Sequence, residues 1–253
     1  MKKIFLFSIG LFYMIHASAG WFICYVYKGM IGKDSVVLFL QMTPHYSDMK
    51  NKDLPVHCVY MNKKNNEPVS LEGLFYRINN KVQLIHRDKY GKQTQVIDFP
   101  FSSPALINGT WSDLNENKKV SLVNTGRMID TLYMDSTKPI DILMDTSLKD
   151  AYLVGVYSRE VSGSNNSAKM DKLKVIDKKS GKLAQEIDLS DLDFECGNVF
   201  TILFKNVQLR DYNKDGYPDL LIWQKAGKMG SAFYALYDPA KKKFIVRADL
   251  VTN

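Results

Sequence analysis

Histidine is scarce in this chain. Of four in 253 residues, His16 falls in an N-terminal stretch expected to be removed, which leaves His45, His57 and His86. None stands in H-E-x-x-H or another zinc-ligand spacing, so the zinc-hydrolase signatures are excluded. The nucleophile elbow G-x-S-x-G is missing too, and Ser164 in "SGSNNS" sits in a loop-like Ser/Asn/Gly run. No glycine-rich phosphate cradle is present, since "KYGKQT" lacks the leading glycine. Glu186 and Asp188 alternate along one strand-like run and read first as a solvated face, with the carboxylate pair of a glycosidase as the open alternative. No catalytic residue is therefore assigned. Helical periodicity is lacking as well: no apolar stretch keeps a 3.6-residue period for more than two turns, which points away from a helical bundle. A helix-long basic face is also absent, which argues against nucleic acid as a partner.

Cysteine is limited to Cys24, Cys58 and Cys196, so a single pair would leave one thiol over. Cys24 and Cys58 share the first half of the chain and are the expected disulfide, worth about 3–4 kcal/mol by loop closure. Pairing of either with Cys196 stays open.

The first residues, "MKKIFLFSIGLFYMIHASA", combine two lysines, an apolar run over 4–15 and the small-x-small ending Ala17-Ser18-Ala19. This is the pattern of a secretory signal peptide, residues 1–19. Its apolar run is shorter than the roughly 20 residues a membrane span needs. Cys24 follows Trp21-Phe22-Ile23, where a lipidation signal needs a small residue. A continuation of the apolar run through "GWFICYVY" is broken by His16, Ser18 and Gly20. The expectation is a periplasmic or secreted protein with no stable membrane anchor. Loss of Lys2 and Lys3 lowers the formal charge from +7 to +5, spread over tips such as "NKK" and "KKK". That reads first as solvated surface, with attraction to an anionic wall or an acidic protein as the sharper alternative.

Strand signals fill what remains. Hydrophobic residues make up 45% and aromatics 12%, enough for packed cores. "CYVYKGMIG", "DSVVLFLQM", "VHCVYMN", "SLEGLFYRI", "KVQLIHRD", "QVIDF" and "KKVSLVN" are β-branched or aromatic runs. They are separated by turn chemistry in "GKD", "NKKNNEP", "NN", "KYGK", "SSP" and "NGTWSD". The pattern then repeats: "AYLVGVYSRE" as a strand, "VSGSNNSA" as a loop, and a hairpin turning at "KKSGK". Last come the strands "FTILFKNVQLR" and "DLLIW" and the hairpin "AFYALYDPAKKKFIVRADL". The fold class expected is all-β, two antiparallel units of sandwich or barrel type. The first unit covers residues 20–130 and the second 151–253. The segment 131–150 joins them, with "DILMDTSLKD" as a linker or helical turn.

One stretch carries chemistry. In "RDYNKDGYPDLLIWQ", Asp211, Asn213, Asp215 and Asp219 occupy positions 1, 3, 5 and 9 of a loop, with Gly216 at position 6. Oxygen donors at this spacing suit Ca2+, which takes six to eight oxygen ligands in flexible geometry, and the Tyr217 carbonyl supplies the backbone ligand. Position 12 is Ile222, not the glutamate of a helix–loop–helix site, so the loop is expected between strands. The competing reading is an Asx-rich turn with no ion.

"DYNKDGYPDLLI" resembles the D-x-N-x-D-G-x-x-D loop of FG-GAP-type proteins and their secreted bacterial relatives. "SAFYALYDPAKKKFIVRADL" resembles the end of one subgroup: periplasmic, calcium-binding proteins related to inhibitors of invertebrate-type lysozymes, some of which are immunity proteins against peptidoglycan hydrolases. The resemblance covers residues 151–253 only. It implies a non-enzymatic protein that binds Ca2+ and inhibits a cell-wall hydrolase. The contact loops would be residues 224–234 and 161–169. The first half is similar to a module of bacterial envelope proteins through "YKGMIGKDSVVLFLQ" and "GTW", matches too ordinary to carry a function. The alternative is an envelope adhesion or carbohydrate-binding module stabilised by calcium. The resemblance does not name the target enzyme or the oligomeric state.

Overall fold

The β-branched and aromatic runs of the first half close on themselves. The computed structural model describes residues 23–42, 53–129, 139–162, 165–190, 202–223 and 232–252; the expected signal segment, Cys196 and residues 224–231 lie outside them. Eight strands form an antiparallel barrel: β1 (Ile23–Ile31), β2 (Asp34–Met42), β3 (Leu54–Asn62), β4 (Glu67–Tyr76), β5 (Lys81–Arg87), β6 (Gln93–Pro100), β7 (Leu106–Asp113) and β8 (Asn117–Ile129). Each strand pairs with the next, and β8 returns to β1 from Ile31↔Val120 to Ile23↔Ile129. Closure removes the unpaired edges that an open sheet would present. Period-two alternation sends Tyr27, Leu38, Leu40, Cys58, Leu71, Leu84, Ile97 and Leu122 inward, where they fill the interior.

Strands β1 to β3 are apolar on both faces, and a second core explains why. Their outward residues Cys24, Val26, Phe39, Val59 and Met61 are buried against the second half of the chain. That half forms two four-stranded antiparallel sheets. One contains β9 (Ile140–Ser147), β10 (Ala151–Ser162), β11 (Asn165–Asp177) and β12 (Leu183–Asp188). The other contains β13 (Val207–Arg210), β14 (Asp219–Trp223), β15 (Ala232–Asp238) and β16 (Lys243–Thr252). Leu153, Tyr157, Met170 and Leu173 from the first sheet meet Val207, Leu220, Ile222 and Phe233 from the second in one core. The Gln185 side chain ties β12 to β16 like a missing backbone unit. Its Nε2 donates to the Phe244 carbonyl at 2.7 Å, and its Oε1 accepts from Phe244 N at 2.8 Å.

The two halves also meet through polar groups. Fully buried Gln41, on the outer face of β2, accepts from Leu203 N at 2.9 Å. Tyr157 donates to the Leu203 carbonyl at 2.7 Å and accepts from Asn206 Nδ2 at 2.9 Å. At the rim, Lys178 donates to the Leu148 carbonyl at 2.7 Å and pairs with Glu67 of the barrel. Buried polar atoms with this degree of pairing specify one docking of barrel on sheets.

Four expectations change. Residues 140–147 are not a linker or helical turn but strand β9, with Ile142 and Met144 fully buried; tertiary burial decides a short apolar run that has no clear period. "NGTWSD" is not a separator but most of β7: Gly109 lets the β6 backbone approach, since a Cβ there would lie 2.3 Å from the Asp98 carbonyl oxygen, and Trp111 fills the barrel. "VSGSNNSA" is largely drawn into the β10–β11 ladder, which runs to Ser162↔Asn165. In "FTILFKNVQLR", a 3-10 turn at Leu203–Lys205 precedes a strand of only four residues.

The expected Cys24 disulfide with Cys58 is also corrected: both thiols are free and buried. Cys24 stands opposite Gln41 on the outer face, whereas Cys58 stands opposite Leu40 on the inner face. Their strands flank β2, roughly 10 Å apart, and a disulfide needs Cα atoms closer than about 7 Å. A parity of one residue, invisible in spacing alone, decides it. Burial pushes the Cys24 thiol up to about 12 and Cys58 well above its ordinary value, so both behave as apolar core residues.

Candidate functional site

The loop between β13 and β14 spans residues 211–218, and the ladder closes at Arg210↔Asp219. All five residues expected to hold calcium therefore lie on one hairpin. The loop turns sharply because two residues take positive φ, Lys214 at 60° and Gly216 at 89°. Asp211 organises it: one carboxylate oxygen accepts from Asp215 N at 3.1 Å and the other from Gly216 N at 3.0 Å. Asn213 Oδ1 accepts from Asp215 N at 3.2 Å, and Asp215 Oδ1 accepts from Tyr217 N at 2.9 Å. These are Asx-turn bonds, each of which satisfies a backbone donor that the tight loop would leave unpaired.

Asp219 differs from the rest. It is fully buried, and its two oxygens accept from Tyr212 N at 2.9 Å and Tyr237 N at 2.8 Å. One carboxylate thereby fastens the loop entry to β15. The donor chemistry of the set fits a hard cation, with three carboxylates, one amide oxygen and the Tyr217 carbonyl. The carboxylates are not gathered as a ligand group, however; among the described residues no three His, Cys, Asp or Glu side chains stand together as a metal site. Each carboxylate oxygen bonded to one N–H keeps a second lone pair. Asn213 Nδ2 donates to Asp215 Oδ2 at 2.7 Å.

Sequence reasoning missed the groove beside the loop. Tyr217 and Pro218 of the loop join Tyr237, Phe244, Leu148 and Val175 around a cavity of about 470 Å3. Tyr217 and Tyr237 rings lie 5.6 Å apart, and Tyr237 and Phe244 rings 5.2 Å apart. Lys149, Asp150, Asp177 and Lys242 add charges of both signs around it. The signal available was Tyr217 itself, an aromatic in a polar turn, 45% exposed in the fold.

A second unforeseen cluster sits where the barrel meets the sheets. Lys205 pairs with Glu72, and His57 Nδ1 lies 3.8 Å from Glu72 Oε1. The Lys205 hydrogen bond holds Glu72 below the usual carboxylate range, while burial raises Asp145 on β9 against the opposing pull of Lys205. Burial pushes His57 below its ordinary 6.5, against the Glu72 charge. The folded state therefore binds fewer protons at His57 than the unfolded chain. Its contribution is fully present above pH 6.5 and declines as pH falls through that value toward the lower folded one. Replacing His57 with Gln should flatten the decrease in melting temperature between about pH 7 and 5. Parallel curves for the two proteins in a fluorimetric pH series would count against this role. Asp145, with its raised value, acts in the opposite sense at lower pH.

No protein-family model matches the chain, and no curated protein or solved structure matches it either.

Proposed function

We propose that this is an exported, non-catalytic protein that binds Ca2+ in the 211–219 hairpin and inhibits a peptidoglycan hydrolase by covering its cleft. The observation that carries the reading is the oxygen-donor loop on the β13–β14 hairpin, with Asp211, Asn213 and Asp215 exposed. Three carboxylates within nine residues repel one another, and a cation relieves that repulsion. When bound, the ion supplies loop rigidity; calcium is a poor activator of water compared with zinc. The side chains of Asp211, Asn213, Asp215 and Asp219 and the Tyr217 carbonyl would hold it. The hydrolase as target rests on the resemblance of residues 151–253. The aromatic groove adjoining the loop supports it, because Tyr-rich concave surfaces suit protein contacts. Of the contact loops, residues 224–231 and 163–164 lie outside the described residues.

Calcium at a hundred times its dissociation constant should stabilise the protein by about 2.7 kcal/mol. Asp215→Ala should lose most of that gain while remaining close to wild type in chelator. Equal melting temperatures with calcium and with chelator would refute the site. The purified protein should also abolish lysis by its partner at near-stoichiometric ratio while showing no lytic activity of its own. A panel of lysozyme-type and amidase-type hydrolases left fully active would refute the inhibitor reading and leave the calcium result standing.

A further inference from the structure

The barrel has two unlike ends. At one, Tyr25, Phe75, Phe99 and Phe101 pack ring on ring at 5.8–6.1 Å, and Tyr27 donates to the Pro104 carbonyl at 3.0 Å. That end is closed by aromatic side chains. At the other, where β1–β2, β3–β4, β5–β6 and β7–β8 are joined by tight turns, a cavity of about 150 Å3 enters the barrel.

Strand parity makes this cavity unusual. Along β2 the inward residues Leu40, Leu38 and Val36 are apolar, and the next inward position is Asp34. On β3, Cys58 and Tyr60 lead to Asn62; on β4, Leu71 and Val69 lead to Glu67. On β6, Phe99 and Ile97 lead to Gln95, and on β8, Leu122 and Val120 lead to Lys118. Five strands switch from apolar to polar at their last inward rung without changing register. Four of the five, Asp34, Asn62, Gln95 and Lys118, are partly buried around the cavity, while Glu67 stands exposed at its rim.

The floor is a buried hydrogen-bond chain. Trp111 Nε1 donates to Tyr60 Oη at 3.3 Å, and Tyr60 donates to Gln95 Oε1 at 2.7 Å. The chain fixes the Gln95 amide with its carbonyl toward Tyr60, so Nε2 is turned elsewhere and has no protein partner among the described residues. Asn62 is held likewise: its Oδ1 accepts from Lys64 N at 2.8 Å, which leaves Nδ2 as a donor. Acceptors come from Asp34 and from the remaining lone pairs of Glu67, whose two oxygens already accept from Ser147 Oγ at 2.8 Å and from Lys178. Glu67 is countered by Lys178, whereas Lys118 pairs with Glu116, lies beside Asp34 and stands 4.8 Å over the Trp111 ring, so one cation serves two carboxylates. The rim therefore offers fixed donors and acceptors together, with a slight excess of negative charge that disfavours an anion.

We propose that this mouth binds a small neutral polyhydroxylated ligand of single-ring size, such as a monosaccharide or cyclitol. Hydroxyl groups both donate and accept, so vicinal pairs match an amide N–H beside a carboxylate oxygen. A cavity of about 150 Å3 accommodates one six-membered ring. The inference concerns the barrel alone and stands apart from the calcium loop and the hydrolase.

The test uses the whole protein labelled with 15N, reading the Trp111 indole N–H, assigned by its loss in Trp111→Phe. D-glucose, N-acetyl-D-glucosamine and myo-inositol are titrated in turn to about 50 mM, far above a millimolar dissociation constant. At least one should shift that signal saturably. Gln95→Leu and Asn62→Leu should each weaken that binding about tenfold, the effect of one good hydrogen bond; Asn62→Leu should retain its melting temperature, while Gln95→Leu, which removes the acceptor of the Tyr60 hydroxyl, should melt somewhat lower but still fold. Inorganic phosphate should leave the signal unmoved. An unmoved indole with all three neutral probes, binding unchanged in both variants, or a preference for phosphate would each overturn the proposal. Should either leucine variant fail to fold, Asn65→Ala at the exposed β3–β4 turn, which also lines the cavity, provides the same reading.

Discussion

Asp219→Ala should lower stability by about 3–5 kcal/mol in chelator, and by more when calcium is supplied. The cause is two backbone donors. Tyr212 N and Tyr237 N both rely on this carboxylate, which is fully excluded from solvent. Alanine offers no acceptor, and each of these part-buried N–H groups left unpaired costs about 1–3 kcal/mol. For a chain of this length the melting temperature should fall by roughly 8–15 °C. Asp219→Asn keeps the shape and one acceptor oxygen, so it should lie between alanine and wild type. The comparison with Asp215 separates two roles on one loop. Asp215 is exposed, and its loss should matter mainly when calcium is supplied. Circular dichroism melts in which Asp219→Ala stayed within about 2 °C of wild type would show that water replaces the carboxylate and that the site is not sealed.

Much of the fold was legible because period-two alternation and turn chemistry agree over most of the chain. "GKD", "NKKNNEP" and "KYGK" do mark β-turns, and Gly32, Gly91 and Gly181 take the positive φ that such turns need. The loop at 211–218 was placed correctly between two strands, since "DLLIW" has no helical period. Reading failed where a residue's partner is remote in sequence. Gly109 and Asn108 look like turn residues until β6 is set beside them. Ile142 to Met144 look like a linker until β10 and the second core cover them. Cys24 and Cys58 look like a pair until the barrel wall separates their faces.

The candidate site shows the same division. Which residues carry oxygen was plain from spacing, and the turn at Gly216 follows from its type. The burial of Asp219 was not legible, because it depends on β15 arriving eighteen residues later to present Tyr237 N. Nor was the groove, which draws Leu148, Val175, Tyr217 and Phe244 from four separate stretches. Short-range chemistry was readable; the contacts that bury it were not.

Gly73→Ala should prevent the barrel from closing, with a loss of about 4 kcal/mol or more, at the extreme of what single substitutions do. Gly73 sits on β4 between Val56 of β3 and Leu84 of β5, at an inward rung between Leu71 and Phe75. A Cβ there would fall 1.8 Å from the Gln83 carbonyl oxygen and 2.8 Å from its carbon. Both are backbone atoms, so no rotamer change relieves the overlap. Strands β4 and β5 would have to part, and the ladder bonds between them would be lost with the interior packing of Leu84. Glycine in a strand interior weakens it in isolation; here the bend of a closed barrel requires it. Gly126 on β8 is the control, since its Cβ would meet nothing within 4 Å and its φ is not positive. Gly126→Ala should stay within about 0.5 kcal/mol of wild type or gain slightly from reduced unfolded-state entropy. Soluble yield and thermal melts of the two variants side by side provide the measurement. A Gly73→Ala protein that melts with wild type would mean that β4 and β5 do not approach as closely as this register requires.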